Sequence, residues 1–179
     1  AKATVTSFVQ SQVAQMQQYA ETKYGLKGFQ VDLEVKFNTY KSWGGTHHGG
    51  HPFVQFGLER YVSVVQGNGI CDFNEYPSFA FDKVIGSLVN VHWTKAISAL
   101  VAHEIAHAIQ FFGPLNAVDT LFPSKSDITC TEMRGHKKLW KNIYKDLRIQ
   151  FVNSTKNETP VLIKKETPVV KKETQVVKK

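Results

Sequence analysis

The chain has 179 residues, of which 42% are hydrophobic and 21% are charged, ordinary proportions for a soluble globular protein. No apolar run reaches the roughly 18–20 residues that span a bilayer, and the N-terminus lacks the apolar core of a signal peptide, so we expect a soluble intracellular protein. Cys71 and Cys130 are too few for a disulfide framework, which leaves two reduced structural thiols as the expectation.

The positive charge is concentrated at the end of the chain. The net charge is +7, and Lys156–Lys179 contributes seven Lys against three Glu, so the rest of the chain is only mildly basic. This segment repeats a seven-residue unit, and its Pro160 and Pro168 oppose a helix. We therefore expect one domain over residues 1–155 and a disordered Lys-rich tail over residues 156–179.

The first part of the chain predicts one helix followed by strands. Apolar residues recur at helical spacing over Thr4–Tyr24. The segment Phe29–Phe37 alternates apolar and polar residues, which is typical of a half-buried strand. Shorter strands are expected around a Gly-rich and His-rich hairpin loop at Gly44–His51; they are Tyr40–Trp43, Phe53–Leu58 and Tyr61–Val65.

The second part predicts a loop and two long helices. Glycines and an asparagine indicate a loop over Gln66–Pro77, whereas the pattern of Phe79–Val91 favours neither helix nor strand. An apolar helix is expected over Lys95–Phe112, and the pair Gly113-Pro114 is expected to end it. A final helix is expected over Thr129–Val152.

The apolar helix contains the segment His103-Glu104-Ile105-Ala106-His107. Two His four residues apart lie on one helix face about one turn from each other, so their imidazoles can occupy two corners of a zinc tetrahedron. Glu104 is rotated by about 100° from its neighbour, which places it to take a proton from water rather than to bind the metal. Because a bound metal lowers the pKa of water, the segment indicates metal-assisted hydrolysis.

The surroundings of this segment strengthen that interpretation. Between Ala99 and Gly113 the polar side chains fall on one side of the helix, opposite an apolar stripe. These polar residues are His103, Glu104, His107 and Gln110. The alternative is a pair of core histidines satisfied by hydrogen bonds, with the glutamate as an ion-pair partner.

A catalytic zinc requires a third protein ligand and an open position for water. We select His136, because its spacing from Trp140 and Ile143 places it on the inward face of the final helix. Glu132, one turn earlier on the same face, is the rival ligand. Its spacing from Thr129 matches a capping box, and that role already accounts for its presence.

Two further sets of polar residues are weaker candidates. Three histidines in Gly-rich surroundings are interpreted as parts of a flexible exposed loop, with substrate contact or an accessory metal as the alternative: His47, His48 and His51. Three other residues are candidates for stabilising the oxyanion of a tetrahedral intermediate: His92, Tyr144 and Arg148.

The segment Ser98–Ala108, followed by Gly135-His136 and then by Trp140, resembles the SprT-like zinc metallopeptidases. The resemblance spans about Val5–Val152, and its specific part is confined to the last two helices. It implies an α+β zincin-like domain with an N-terminal helix, a small antiparallel-type sheet, an active-site helix and a C-terminal helix that carries the third ligand.

The resemblance also implies a role for each site residue. His103, His107 and His136 correspond to the ligands of one catalytic Zn²⁺, and Glu104 corresponds to the general base. Two features differ from the family pattern. Lys137 rather than Gly follows the third His, and two cysteines cannot build the zinc ribbon that many members carry at the C-terminus.

We therefore expect a monomeric zinc metallopeptidase that hydrolyses protein or peptide substrates and does not associate with membranes. Two alternatives stay open. One is a noncatalytic zinc-stabilised binding module. The other is a nucleic-acid-associated SprT-like protease whose basic tail binds nucleic acid or another acidic surface.

Overall fold

A computed structural model describes residues 1–116 and 135–154. It confirms a mixed α+β fold. In chain order the elements are α1 (Lys2–Lys23), β1 (Asp32–Lys36), β2 (Trp43–Thr46), β3 (Pro52–Gly57), α2 (Glu59–Gln66), β4 (Ile70–Phe73), β5 (Leu88–His92), α3 (Trp93–Asn116), α4 (Lys138–Leu147) and a π-helical segment (Arg148–Asn153). The predicted capping box, Cys130 and the tail lie outside the described residues.

The helix α1 confirms the prediction for the start of the chain. Its buried residues include the predicted apolar stripe of Val5, Val9, Val13, Met16 and Ala20. This face packs against α3, where the buried Ser98 hydroxyl donates a hydrogen bond to Gln12 at 2.9 Å. Near the other end of α1, the Tyr19 hydroxyl donates to Asp146 of α4 at 2.9 Å. Hydrogen bonds and apolar packing therefore fix α1 to both later helices.

The main sheet has three strands in the order β1-β3-β2, so β3 lies between two strands that precede it in the chain. β2 and β3 form the expected antiparallel hairpin, but β1 pairs with β3 in parallel, from Asp32 opposite Phe53 to Lys36 opposite Gly57. The prediction of an antiparallel-type sheet is therefore wrong for this pair. Alternating polarity in β1 indicates that one face is buried, but it contains no information about the direction of the partner strand.

Two short segments differ from the predictions. Tyr61–Val65 belongs to α2 rather than to a strand. The buried Tyr61 and the partly buried Val65 stand one helical turn apart, so a helix turns both toward the core. The predicted loop over Gln66–Pro77 contains β4, which pairs with β5 in a separate antiparallel hairpin. Likewise β2 begins at Trp43 and continues through two glycines that had been predicted to form the hairpin loop.

The central element is α3, which packs against β2 and β3 as well as α1 and α4. It continues to Asn116, so the predicted end at Gly113-Pro114 is wrong. Proline removes one backbone hydrogen bond in the last turn, but residues 112–114 are buried, and packing outweighs that loss. Among the described residues, none of the helices has the length and apolar character needed to cross a bilayer.

Candidate metal centre

Three histidine side chains converge where α3 meets the start of α4. His103 and His107 project from successive turns of α3, and His136 approaches them from the turn before α4. The Nε2 atom of His136 lies 3.2 Å from Nε2 of His103 and 3.2 Å from Nε2 of His107. All three ligand atoms lie within 4.8 Å of one another, close enough to bind one metal ion.

His136 reaches this position from a turn and not from a helix. The predicted final helix places it one turn before Trp140 on the same helical face, but α4 begins only at Lys138. Gly135 has a φ of +66°, a left-handed conformation that glycine adopts without steric cost. Its carbonyl accepts a hydrogen bond from Gln110 of α3 at 3.2 Å. The turn is therefore attached directly to the helix that carries the other two histidines.

Two of the imidazoles have a hydrogen-bond acceptor at the nitrogen that faces away from the centre. His103 Nδ1 lies 3.1 Å from Glu75 Oε2, and His107 Nδ1 lies 2.9 Å from Gln110 Oε1. Since the same Gln110 donates through Nε2 to Gly135, its Oε1 is the acceptor for His107. These partners favour protonated Nδ1 atoms, which leaves the Nε2 lone pairs directed at the centre.

Burial also favours the neutral form of the ligands. Desolvation lowers the pKa of His107 to about 3, against the hydrogen bond that His107 donates to Gln110, which raises it. Desolvation and the nearby His103 lower the pKa of His136 to about 4. Both side chains are therefore neutral near pH 7, and neutral imidazole is the form that binds metals.

Aromatic side chains enclose the three imidazoles. The buried Trp140 stacks on His107 at 5.1 Å between ring centroids and donates from its indole N–H to the His103 carbonyl at 3.2 Å. On the other side, the Tyr76 ring lies 4.4 Å from that of His136 and is 53% exposed. Trp140 thus supports the centre from the core, while Tyr76 faces solvent beside it.

Glu104 lies next to the first histidine and is only 6% exposed. Burial raises the pKa of its carboxyl to about 7; the nearby His103 lowers the pKa and Glu75 raises it further. Glu104 and His103 both border a cleft of about 380 Å³. The cleft lies between the chain preceding β2 and the chain following β4, and its other lining residues are Tyr40, Ser42, Phe73, Asn74, Glu75, Tyr76, Pro77 and Leu100.

Sequence reasoning missed Glu75 and Tyr76. Both belong to a segment that was interpreted as an ordinary loop, where nothing local distinguishes them. Their importance arises from a contact between residues 28 positions apart, His103 with Glu75. Only the placement of β4 beside α3 brings them to the centre.

The three oxyanion candidates do not lie at the cleft. Tyr144 and Arg148 are buried and do not line the cleft; Tyr144 bonds to Glu75, and Arg148 bonds to Tyr144. His92 precedes α3 and bonds to Thr94 at 2.8 Å, about 15 Å along the helix axis from His103. The structure therefore does not bring any of the three candidates to the lining of the cleft.

The loop histidines have other partners. His51 Nε2 lies 3.2 Å from Asp32 Oδ2, and the His47 ring stacks on Phe53 at 4.1 Å. All three loop histidines are exposed, as predicted. Within residues 1–116 and 135–154, the group that could hold a metal is His103, His107 and His136.

Comparisons with known proteins identify no relative of this chain. No protein-family model matches the chain, and neither a characterised protein nor a solved structure is found to match it.

Strand β2 touches the helix backbone beside Glu104. A Cβ atom added at Gly44 would overlap the carbonyl oxygen of Glu104 and lie 2.9 Å from its carbonyl carbon. Since both are backbone atoms, the strand or the helix must move. We expect Gly44→Ala to lower the free energy of unfolding by about 1–3 kcal/mol, the usual cost of overpacking. Chemical denaturation measures this change.

The neighbouring glycine provides the matched control. A Cβ atom added at Gly45 would lie 3.6 Å from the Phe111 ring, an ordinary contact. Gly45→Ala should therefore leave stability nearly unchanged. Equal destabilisation by the two alanines would contradict a specific contact between Gly44 and α3.

Proposed function

We propose that this chain is a zinc-dependent, zincin-like metallopeptidase that hydrolyses peptide bonds with Glu104 as the general base. The observation that carries the proposal is the convergence of three imidazoles beside a buried carboxyl group at an open cleft. A hydrogen-bonded cluster of core histidines would not need a cleft that reaches one ligand and the adjacent glutamate.

The donor set fits zinc. Zinc–nitrogen bonds of about 2.0–2.1 Å in a tetrahedron set the ligand nitrogens about 3.3 Å apart. The two Nε2–Nε2 distances of 3.2 Å agree with that spacing. Imidazole nitrogens also suit the metal, and three protein ligands are the usual number in catalytic zinc sites.

The histidines and Glu104 have different roles in the proposed hydrolysis. When bound by His103, His107 and His136, zinc supplies Lewis acidity, which makes water nucleophilic and polarises a carbonyl. Glu104 takes one proton from the attacking water as the water oxygen bonds to the carbonyl carbon. As the C–N bond breaks, Glu104 passes this proton to the leaving nitrogen.

The surroundings of the cleft favour an extended peptide as the substrate. β2 forms one edge of the three-stranded sheet, and Tyr40 and Ser42 just before it line the cleft. A strand edge offers backbone groups that pair with an extended chain without regard to its side chains. This geometry supports peptide hydrolysis over reactions on compact small molecules.

Metal removal and reconstitution test the proposed function. The purified protein should contain close to one zinc per chain and should cleave an unfolded protein substrate, as judged by gel electrophoresis and mass spectrometry. A chelator should abolish cleavage, and added zinc should restore it. Cleavage that survives complete zinc removal would contradict the proposal, whereas stoichiometric zinc without cleavage of diverse substrates would favour the noncatalytic binding module.

A further inference from the structure

Glu75 lies two positions after the end of β4, on the wall of the cleft. The environment of its side chain is unexpected for that position. Its backbone segment borders solvent, yet its side chain is only 2% exposed. One carboxylate oxygen, Oε2, accepts two hydrogen bonds. One comes from His103 Nδ1 at 3.1 Å, and the other comes from the Tyr144 hydroxyl.

The contacts continue into the core beyond Tyr144. Its hydroxyl oxygen accepts a hydrogen bond from Arg148 Nη1 at 2.9 Å, and the same nitrogen donates to the Gly86 carbonyl at 3.0 Å. Arg148 Nε lies 3.2 Å from Asn153 Oδ1. Arg148 and Tyr144 are both buried, so solvent does not replace these partners.

The direction of every hydrogen bond in this series is determined by chemistry. A guanidinium group can only donate, so the Tyr144 oxygen is the acceptor from Arg148. The single hydroxyl proton of Tyr144 is then directed at Glu75. Since the carboxylate accepts from Tyr144, the remaining bond requires a proton on His103 Nδ1. In a neutral imidazole, the form that binds metals, a proton on Nδ1 leaves the lone pair on Nε2 of His103.

We propose that Arg148, Tyr144 and Glu75 form a positioning chain that holds His103 as the Nδ1-protonated tautomer, with its Nε2 lone pair directed at the metal centre. The proton on Nδ1 follows from the hydrogen bonds, but the effect on zinc rests on the proposed function. Partners of this kind fix the ring orientation and strengthen the ligand, and their loss typically lowers metal affinity about 10- to 100-fold.

A purely structural role is the competing explanation. Arg148 and Tyr144 stand one helical turn apart, and their bonds to Gly86 and Glu75 join the last helix to the chain around β4 and β5. Such a network could stabilise the fold without influencing His103. The two explanations differ in whether loss of the Tyr144 hydroxyl changes the protonated nitrogen of the His103 imidazole and the affinity for zinc.

Tyr144→Phe removes the hydroxyl and keeps the ring that packs against Trp140 at 4.8 Å. Tyr19→Phe is the matched control, because Tyr19 also donates to a carboxylate, Asp146, but outside the metal centre. We expect Tyr144→Phe to weaken zinc binding about tenfold or more in competition with a chromogenic chelator. Tyr19→Phe should leave zinc affinity within about twofold of the original protein.

Nitrogen NMR of the chelator-treated protein provides the second measurement. Imidazole ¹⁵N shifts and long-range couplings distinguish the two tautomers without any bound metal. In the unmodified chain His103 should have its proton on Nδ1, and Glu75→Gln and Tyr144→Phe should both shift its nitrogen resonances. A neutral ring with its proton on Nε2 instead of Nδ1 in the unmodified protein would overturn the proposal even if a variant failed to fold.

The outcomes separate this inference from the proposed function. If the protein cleaves peptides with zinc but both variants match it in zinc affinity and His103 spectrum, the positioning chain is wrong and the function stands. If the protein holds no zinc but His103 has the expected tautomer and responds to both substitutions, the positioning chain stands and the peptidase proposal is wrong.

Discussion

Glu104→Gln should abolish peptide hydrolysis while leaving the metal in place. The amide has nearly the same size as the carboxyl group, so the buried site beside β2 stays filled. It cannot accept a proton from water, and loss of a general base typically costs about 10²–10⁴ in rate. We therefore expect kcat to fall by about 10³-fold, measured with a fluorogenic peptide, with one zinc per chain retained.

The exposed Glu59 on α2 provides a control for the change in charge alone. Glu59→Gln should retain full activity. Zinc content and thermal unfolding of both variants show whether they are folded and loaded. A folded, zinc-loaded Glu104→Gln protein with undiminished activity would rule out this residue as the base.

The second large effect is expected at His136. Zinc bound by four ligands is stabilised by about 10–16 kcal/mol, so one ligand accounts for about 3 kcal/mol, or about 10²-fold in affinity. His136→Ala should therefore lower zinc affinity by about that factor and eliminate measurable hydrolysis at limiting zinc. Metal analysis after dialysis against a weak chelator measures the loss.

His48 is the matched control for this substitution. It is exposed in the hairpin loop and lies outside the group of three converging imidazoles. His48→Ala should keep the zinc content and the activity of the unmodified chain. If His136→Ala also keeps both, the third ligand is a different residue and the assignment of His136 is wrong.

The residues of the candidate metal centre that could be predicted are those with a local signature. His103, Glu104 and His107 lie within one segment whose spacing follows helical geometry, so the chain itself fixes their relative positions. His136 was selected by its spacing from Trp140. That spacing identified a residue that does converge with the other two histidines, although the observed helix begins after it.

The remaining parts of the centre depend on contacts between distant segments. Glu75 meets His103 only because β4 pairs with β5 and packs beside α3. The insertion of β3 between β1 and β2 is equally invisible in the alternating pattern of β1. Periodicity identifies which face of an element is buried, but it does not identify the element that covers that face.

The three imidazoles come from two pieces of chain, and His107 is separated from His136 by 29 positions. Under the proposed mechanism, a metal bound here also cross-links these two pieces of chain, and its binding free energy adds to the stability of the folded state. During synthesis the chain emerges from the N-terminal end. A nascent chain that stops short of the turn at Gly135 contains two of the three ligands, so peptidase activity should appear only once α4 has been made and docked.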